Sequence, residues 1–297
     1  MIRRLAFVVM ALAMSVVLPA RTPSATATVR VGFLRPGGGY TVMNLPVDAY
    51  VARVVAGEAV RDSQPAALEA LAIAVRTFAL ANSGRHRGDG FDLCDQTHCQ
   101  VVRTATAATN RAALATAGRI LLQKDGRVAS VYYTASCGGR TELPSEVWPG
   151  AEDPPYLPSR SDGACGGAPE WTASLHESDL LRAFQAAGYR GSRLKNVRIA
   201  DRNKSGRVSR LKIDGLEPDQ ISGQDLRVVV GRTLGWQHIK STAFKLKKEG
   251  NTYRFTGHGS GHGVGMCVIG SAHLAEEGKS ADYILRRYFP GLRVGIE

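Results

Sequence analysis

The sequence predicts an α+β fold, with mixed helices and β-hairpins forming a single cleft-bearing core and an inserted lobe at about residues 160–240. Apolar stripes at helical period and strand-like alternation both occur, but they intermix without the regular strand–helix–strand order of a parallel sheet. Turn signals at Asp125-Gly126, Lys204-Ser205-Gly206 and Gly250-Asn251 each lie between two extended runs. Neither an internal repeat nor a low-complexity tract interrupts the chain.

The first element is a leader. Arg3 and Arg4 precede an apolar run from Leu5 to Leu18, and Ala25-Thr26-Ala27 follows as a small-x-small site. This is the pattern of a cleavable export signal over residues 1–27, its apolar run too short to span a bilayer. The Arg3-Arg4 pair suits either a twin-arginine or a general export route. The expected mature protein, residues 28–297, is exported to the periplasm or cell wall, with no stable membrane insertion after cleavage. The chain carries 38 Lys and Arg against 26 Asp and Glu, a formal charge of +12. Cleavage removes three arginines and no acid, leaving about +9. A basic exported chain points to an anionic polymer or surface, the bacterial wall first among them. Nucleic acid is the general partner of a basic chain, but export and the scatter of Lys and Arg argue against it. Charge serving solubility alone is the plainer reading.

Val29 to Leu34 alternates like a strand, Gly37-Gly38-Gly39 turns the chain, and Tyr40 to Leu45 resumes it. A helix is expected from about Val47 to Ala59. A second starts near Pro65, carries Leu68, Leu71, Val75 and Phe78 on one stripe, and stops at Asn82-Ser83-Gly84. Arg76 lies off that stripe, toward a cleft or solvent. A third helix is expected over Thr104 to Ala117, then a hairpin pairing Arg119–Gln123 with Val128–Ala135. Pro144 to Pro169 reads as loop, and Trp171 to Gly188 as a short strand and a helix. Hairpins follow at 197–213 and 244–255, and helices close the chain at about Met266–Glu277 and Ala281–Phe289.

Glu58 ends the first helix on a stripe it shares with Val51, Val54 and Val55. Partial burial there would raise its carboxyl pKa, and a carboxyl that keeps its proton near neutrality can act as a general acid. Spacing alone favours a helix-end Glu that reaches water past the last valine. Cys94-Asp95-Gln96-Thr97-His98-Cys99 puts two thiols and an imidazole within one short loop, the ligand types tetrahedral zinc prefers. His86 is the nearest fourth ligand, with Asp92 and Asp95 as alternatives or as acceptors for an imidazole N–H. A Cys94–Cys99 disulfide is the competing reading. His98 beside Cys99 favours metal. The five cysteines, Cys94, Cys99, Cys137, Cys165 and Cys267, cannot pair completely.

The run Gly257-His258-Gly259-Ser260-Gly261-His262-Gly263-Val264-Gly265-Met266 precedes a helix and lets a ligand approach the backbone closely. It lacks the Gly-Lys-Ser/Thr ending of a phosphate loop. His258 and His262 could bind a sugar hydroxyl, orient a carboxylate or ligate metal; a tight turn with His262 in a polar core slot is the alternative. Ser136-Cys137-Gly138-Gly139-Arg140-Thr141 could present a nucleophile, but no Gly-x-Ser-x-Gly elbow or spaced His/Asp pair supports a triad.

Four segments together resemble the stage II sporulation protein D family, also called the SpoIID/LytB domain. They are Tyr50 to Glu58 with its Val54-Val55-Ala56-Gly57-Glu58 end, Ala70 to Ala79 with Ala74-Val75-Arg76-Thr77, Ser136 to Thr141, and Gly257 to Gly270 followed by Gly278-Lys279-Ser280 and Tyr288-Phe289-Pro290-Gly291. They keep the family's order over nearly all of the mature chain. The resemblance implies a peptidoglycan lytic transglycosylase, a lyase acting on glycan strands. Glu58 matches the family's catalytic glutamate, and Cys94, His98 and Cys99 match a Cys/His zinc site of some members, with His86 as fourth ligand and a structural role for the metal. Protonated Glu58 would protonate the glycosidic oxygen between N-acetylmuramic acid and N-acetylglucosamine. The carboxylate would then take the proton of the muramic acid 6-hydroxyl, leaving a 1,6-anhydro end without the second carboxylate of an ordinary glycosidase. On this reading Arg76, Ser136, Cys137, Gly138, Gly139 and His262 face the substrate, Arg76 also steadying the Glu58 carboxylate. Cys267 and Val268 depart from the small polar residue and Gln of many members. A wall amidase is a second implied partner, since the family also includes non-catalytic wall-binding amidase enhancers. A zinc peptidase would need an open metal position and a nearby base, neither of which is visible.

Overall fold

A computed structural model describes residues 27–166 and 169–297; the expected export signal over residues 1–27 lies, Ala27 apart, outside the described residues. The chain opens with an antiparallel hairpin, β1 (Thr28–Leu34) and β2 (Tyr40–Pro46), turned at Gly37–Gly39, whose positive φ angles suit glycine. α1 (Val47–Glu58) follows directly. α2 (Pro65–Ala81) starts on its proline. β3 (Leu93–Cys94) adds to the free edge of β1 in parallel, Val31 opposite Leu93 and Gly32 opposite Cys94. α3 (Ala107–Ala115) is shorter than expected, because Thr106 caps it and forms a reciprocal capping box with Thr109.

The next segment differs from the expected hairpin. β4 (Arg119–Leu122) turns at Asp125-Gly126, but only Val128 bridges back to Leu122. Ala129 and Val131 bury into the core instead, and β5 (Tyr133–Thr134) pairs elsewhere. The second lobe then runs through β6 (Trp171–His176), α4 (Glu177–Ala186), β7 (Asn196–Arg202), β8 (Val208–Asp214), β9 (Gln220–Ser222), α5 (Gly223–Thr233), β10 (Phe244–Glu249) and β11 (Thr252–Gly257). Its two antiparallel sheets are ordered β10-β11-β6 and β7-β8-β9. The chain returns through β12 (Met266–Cys267), α6 (Val268–Glu276), α7 (Ala281–Tyr288) and β13 (Arg293–Ile296). β12 pairs in parallel with β5, so the helix expected from Met266 begins two residues later, and β13 supplies the partner strand of β4. This intermixing of helices with several small, mostly antiparallel sheets is an α+β architecture.

Among the described residues two apolar cores result. The first gathers residues from Val29 to Cys165 and from Val264 to Phe289 around α2; the second draws on Trp171 to Phe255, against an expected lobe of about 160–240. α2 is buried on nearly every side, from Ala67 to Ala79. That is why Arg76, off the apolar stripe, still lies in the interior. Among the described residues no helix is long and apolar enough to cross a membrane.

Candidate functional site

Glu58 is the last residue of α1, and Val51, Val54 and Val55 on its stripe are fully buried. Its side chain is half-buried, and its Oε1 accepts the backbone N–H of Val101 at 3.0 Å. Gly57 makes that approach possible. A Cβ there would fall inside van der Waals contact of the Val101 carbonyl oxygen. Burial pushes the Glu58 carboxyl above its ordinary range; the Val101 N–H and the Arg103 charge pull it back only in part. One oxygen is therefore anchored by a backbone donor.

The segment that reaches Glu58 is pinned at each residue. Gln100 is buried; its Oε1 accepts Tyr50 Oη–H at 2.8 Å, and its Nε2 donates to Tyr133 Oη at 2.9 Å. Burial, and after it the charge of Glu58, holds the Tyr133 phenol well above the usual range. Sequence reasoning missed Gln100, Val101, Arg103 and Tyr133. None belongs to a recognisable motif, and only the fold brings them to Glu58.

One residue before Gln100 the metal-ligand cluster begins. His86, Cys94, His98 and Cys99 offer ligand atoms that all lie within 4.8 Å of one another. His86 Nε2 lies 3.1 Å from His98 Nε2, which is 3.2 Å from Cys94 Sγ. His86 Nδ1 meets Asp89 Oδ2 at 2.8 Å, the outward carboxylate that commonly fixes the tautomer of a ligating histidine. Phe91 stacks on the His86 ring at 4.8 Å, and Tyr40 packs on Phe91 at 4.9 Å. Two imidazoles and two thiols converging on one point are a donor set that fits zinc. Asp92 and Asp95 are not in the cluster. Asp92 accepts the Arg30 N–H at 2.9 Å and Asp95 that of Leu34 at 3.1 Å, so both are occupied tying this loop to β1.

The residues expected to face substrate divide. Arg76 is 0% exposed, and Nη2 pairs with Asp48 at 2.8 Å while donating to the Ala113 carbonyl at 3.0 Å. Its Nη1 donates to the Arg119 carbonyl at 3.1 Å. Both terminal nitrogens of its guanidinium are therefore engaged inside the core, away from the solvent side expected to face substrate, and the groups that lower the Glu58 pKa are Val101 and Arg103. Ser136 and Cys137 are also buried, and their side chains turn away from solvent, Ser136 Oγ meeting Cys165 Sγ at 3.3 Å. The half-buried Gly138 and Gly139 remain at the surface of that loop. Gly138, at φ 70°, lies against the backbone of His258 and Gly259, where a Cβ would approach to 3.1 Å. The Ser136–Gly139 and Gly257–Gly263 loops are thereby interlocked through paired Ser136 and Ser260 amides at 3.0 and 2.9 Å.

His262 is half-buried. Its Nδ1 accepts the Val264 N–H at 3.0 Å, and its ring packs on Trp148 at 5.0 Å and edge-on to Tyr132 at 6.4 Å. Burial, with the charges of Arg227 and Arg207, pushes its pKa down to about 3, so the ring is neutral. Tyr133 reaches the Gln100 side through its hydroxyl, while its backbone pairs with Met266 just beyond the His262 loop. A polar pocket of about 110 Å³, lined among others by Glu142, Asn203 and Thr242, does not include Glu58 among its lining residues.

A half-buried carboxyl is thus anchored at one oxygen by an amide two residues from a Cys/His cluster able to hold a metal ion. The family model described as Stage II sporulation protein matches residues 37–122, which contain Glu58 and the whole cluster, and a Domain of unknown function (DUF8618) matches residues 168–265. An uncharacterised protein of Brachyspira hyodysenteriae is 30% identical, over 85% of this chain and 67% of its own length. Stage II sporulation protein D of Bacillus amyloliquefaciens is 28% identical, over 86% of this chain and 76% of its own. The Amidase enhancer of Bacillus subtilis is 26% identical over 76% of this chain, but only 37% of its own length. The chain belongs to the stage II sporulation protein D family.

Proposed function

We propose that the protein is an exported, peptidoglycan-directed lytic transglycosylase in which Glu58 is the single acid and base. The observation that carries this is the half-buried Glu58 carboxyl, raised by burial and anchored at Oε1 by the Val101 N–H. The free oxygen gives its proton to the glycosidic oxygen leaving N-acetylmuramic acid. The resulting carboxylate, held by the Val101 N–H and the charge of Arg103, accepts the proton of the muramic acid 6-hydroxyl as that oxygen closes on the anomeric carbon. The product is a 1,6-anhydro end. His262, neutral and propped on Trp148 with Nδ1 accepting the Val264 N–H, has its Nε2–H to offer a sugar hydroxyl.

His86, Cys94, His98 and Cys99 would hold one zinc ion, which when bound supplies rigidity to the 94–101 segment. Mass spectrometry of purified glycan strands incubated with the protein tests the reaction. Anhydro ends that vanish with Glu58→Gln are expected, and ends that persist with that variant exclude the assignment.

The likeness to the Amidase enhancer supports a second reading, a wall-binding protein that stimulates an amidase without chemistry of its own. It predicts no anhydro ends, and stimulation of a wall amidase on purified walls that survives Glu58→Gln.

A further inference from the structure

Cys137, Cys165 and Cys267 lie far apart in sequence, and neither the Glu58 chemistry nor the first metal cluster uses them. Yet the fold brings all three together with Asp162. Their ligand atoms lie within 4.8 Å of one another, and all four residues are buried, none more than 3% exposed. Cys137 Sγ is 3.4 Å from Asp162 Oδ2. Two ligands about 2.1 and 2.3 Å from one tetrahedral zinc ion stand roughly 3.6 Å apart, so this spacing needs little adjustment. We propose that Cys137, Asp162, Cys165 and Cys267 form a second, closed zinc site.

The surroundings are those of anionic ligands rather than of apolar thiols. Cys267 caps α6, and its Sγ accepts N–H groups from Gly270 and Cys137, each at 3.3 Å. Backbone N–H donors converging on a sulfur are the partners that orient a metal-bound thiolate. Asp162 Oδ2 accepts Tyr288 Oη–H at 2.8 Å, and Oδ1 faces Arg287 at 3.2 Å, partners that orient a ligating carboxylate. Arg207, buried, donates to the Cys137 carbonyl at 2.7 Å. Gly270 leaves the centre open, since a Cβ there would strike Tyr288 Oη and approach Asp162 Oδ2 to 3.0 Å. On binding, the three thiols release their protons to solvent and the carboxylate enters ionised. The four anionic ligands leave two negative charges around the ion, beside the cations Arg207 and Arg287. Three thiols cannot pair among themselves, and one ion satisfies all of them. With no open position the ion would be structural, tying the Ser136–Gly139 loop and the turn at Asp162–Cys165 to the start of α6.

The test is zinc content of the purified full chain, kept reduced and dialysed free of loose metal. Two ions per chain are expected. Cys165→Ser with Cys267→Ser should lower the count by one, and Cys94→Ser with Cys99→Ser should lower it by one independently. A count that the first pair leaves unchanged overturns the proposal, as does a disulfide joining any two of Cys137, Cys165 and Cys267 in wild-type protein purified separately without reductant. Should the Cys165/Cys267 variant not fold, the Cys94/Cys99 variant decides: one ion supports the second site and none overturns it. Should that also not fold, the wild-type count decides, two supporting and one or none overturning. A failure of the Glu58 chemistry changes none of these counts.

Discussion

The Val101 amide nitrogen lies 3.0 Å from Glu58 Oε1, and Val101 stands two residues beyond Cys99 of the metal cluster. One short segment therefore carries a candidate metal ligand, the buried Gln100 that joins Tyr50 to Tyr133, and the donor that anchors the candidate acid. Anything that displaces this segment should be felt at Glu58.

Gly57→Ala is the smallest such displacement. Alanine is the better helix former by about 1 kcal/mol, so propensity alone predicts a more stable protein. The new Cβ would collide with the Val101 carbonyl oxygen, which is backbone and cannot swing aside. The expected result is lower stability and a loss of activity on the order of 10²-fold, the scale of a 1 Å misplacement of a catalytic group. Thermal unfolding and anhydro-end release measure the two effects. A stabilised, fully active variant would show that the segment does not lean on α1.

Metal removal should act along the same path. His98→Ala deletes an exposed ligand and leaves the core untouched. It should lower zinc content by one ion, increase proteolysis within residues 84–103 and reduce activity, because Gln100 and Val101 lose their nearest fixed point. Metal analysis, limited proteolysis and turnover check it together; unchanged turnover in a protein shown to have lost the ion would separate the cluster from the chemistry.

The sequence made some of this legible. The Val51–Val54–Val55–Glu58 spacing locates a carboxyl on an apolar face, because helical period needs only local order. Cys94, His98 and Cys99 are near one another in sequence for the same reason, and His86 joins them because Phe91 and the β1–β3 pairing fold its turn back. Arg76 misleads because a stripe argument assumes one solvent face, whereas α2 is enclosed by α1, α3, α6, α7 and β4. The expected 119–135 hairpin misleads because its strands find partners in β13 and β12, over 130 residues away, which no local pattern encodes. The convergence of Cys137, Cys165 and Cys267 is hidden for the same reason.

Arg76 gives a prediction of its own. Removing one partner of an enclosed ion pair leaves the other uncompensated, at a cost of about 3 kcal/mol. Asp48 keeps 28% exposure, which softens that cost, but the carbonyls of Ala113 and Arg119 also lose their donors. Arg76→Met should therefore lower the unfolding midpoint sharply while the folded fraction keeps its KM. A raised KM in a protein of normal stability would return Arg76 to the substrate.

Glu58→Gln separates catalysis from stability. Activity should fall by about 10² to 10⁴-fold, since the amide cannot give or take the proton. Stability should move the other way. The folded carboxyl pKa is raised above its ordinary 4.5, chiefly by burial. Between 4.5 and that raised value the native state holds more protons than the unfolded chain, so wild-type stability declines as pH rises through the interval. Below it the carboxyl is protonated in both states and the cost is absent; above it the cost is complete. The glutamine side chain does not titrate, and its Oε1 can still accept the Val101 N–H. The variant should thus match the wild type near pH 3.5 and exceed it near pH 7, by a margin that denaturant unfolding at about these two pH values reads directly. A margin that stays flat with pH, or favours the wild type at neutrality, would mean that Glu58 is ionised at no cost and is not poised as an acid.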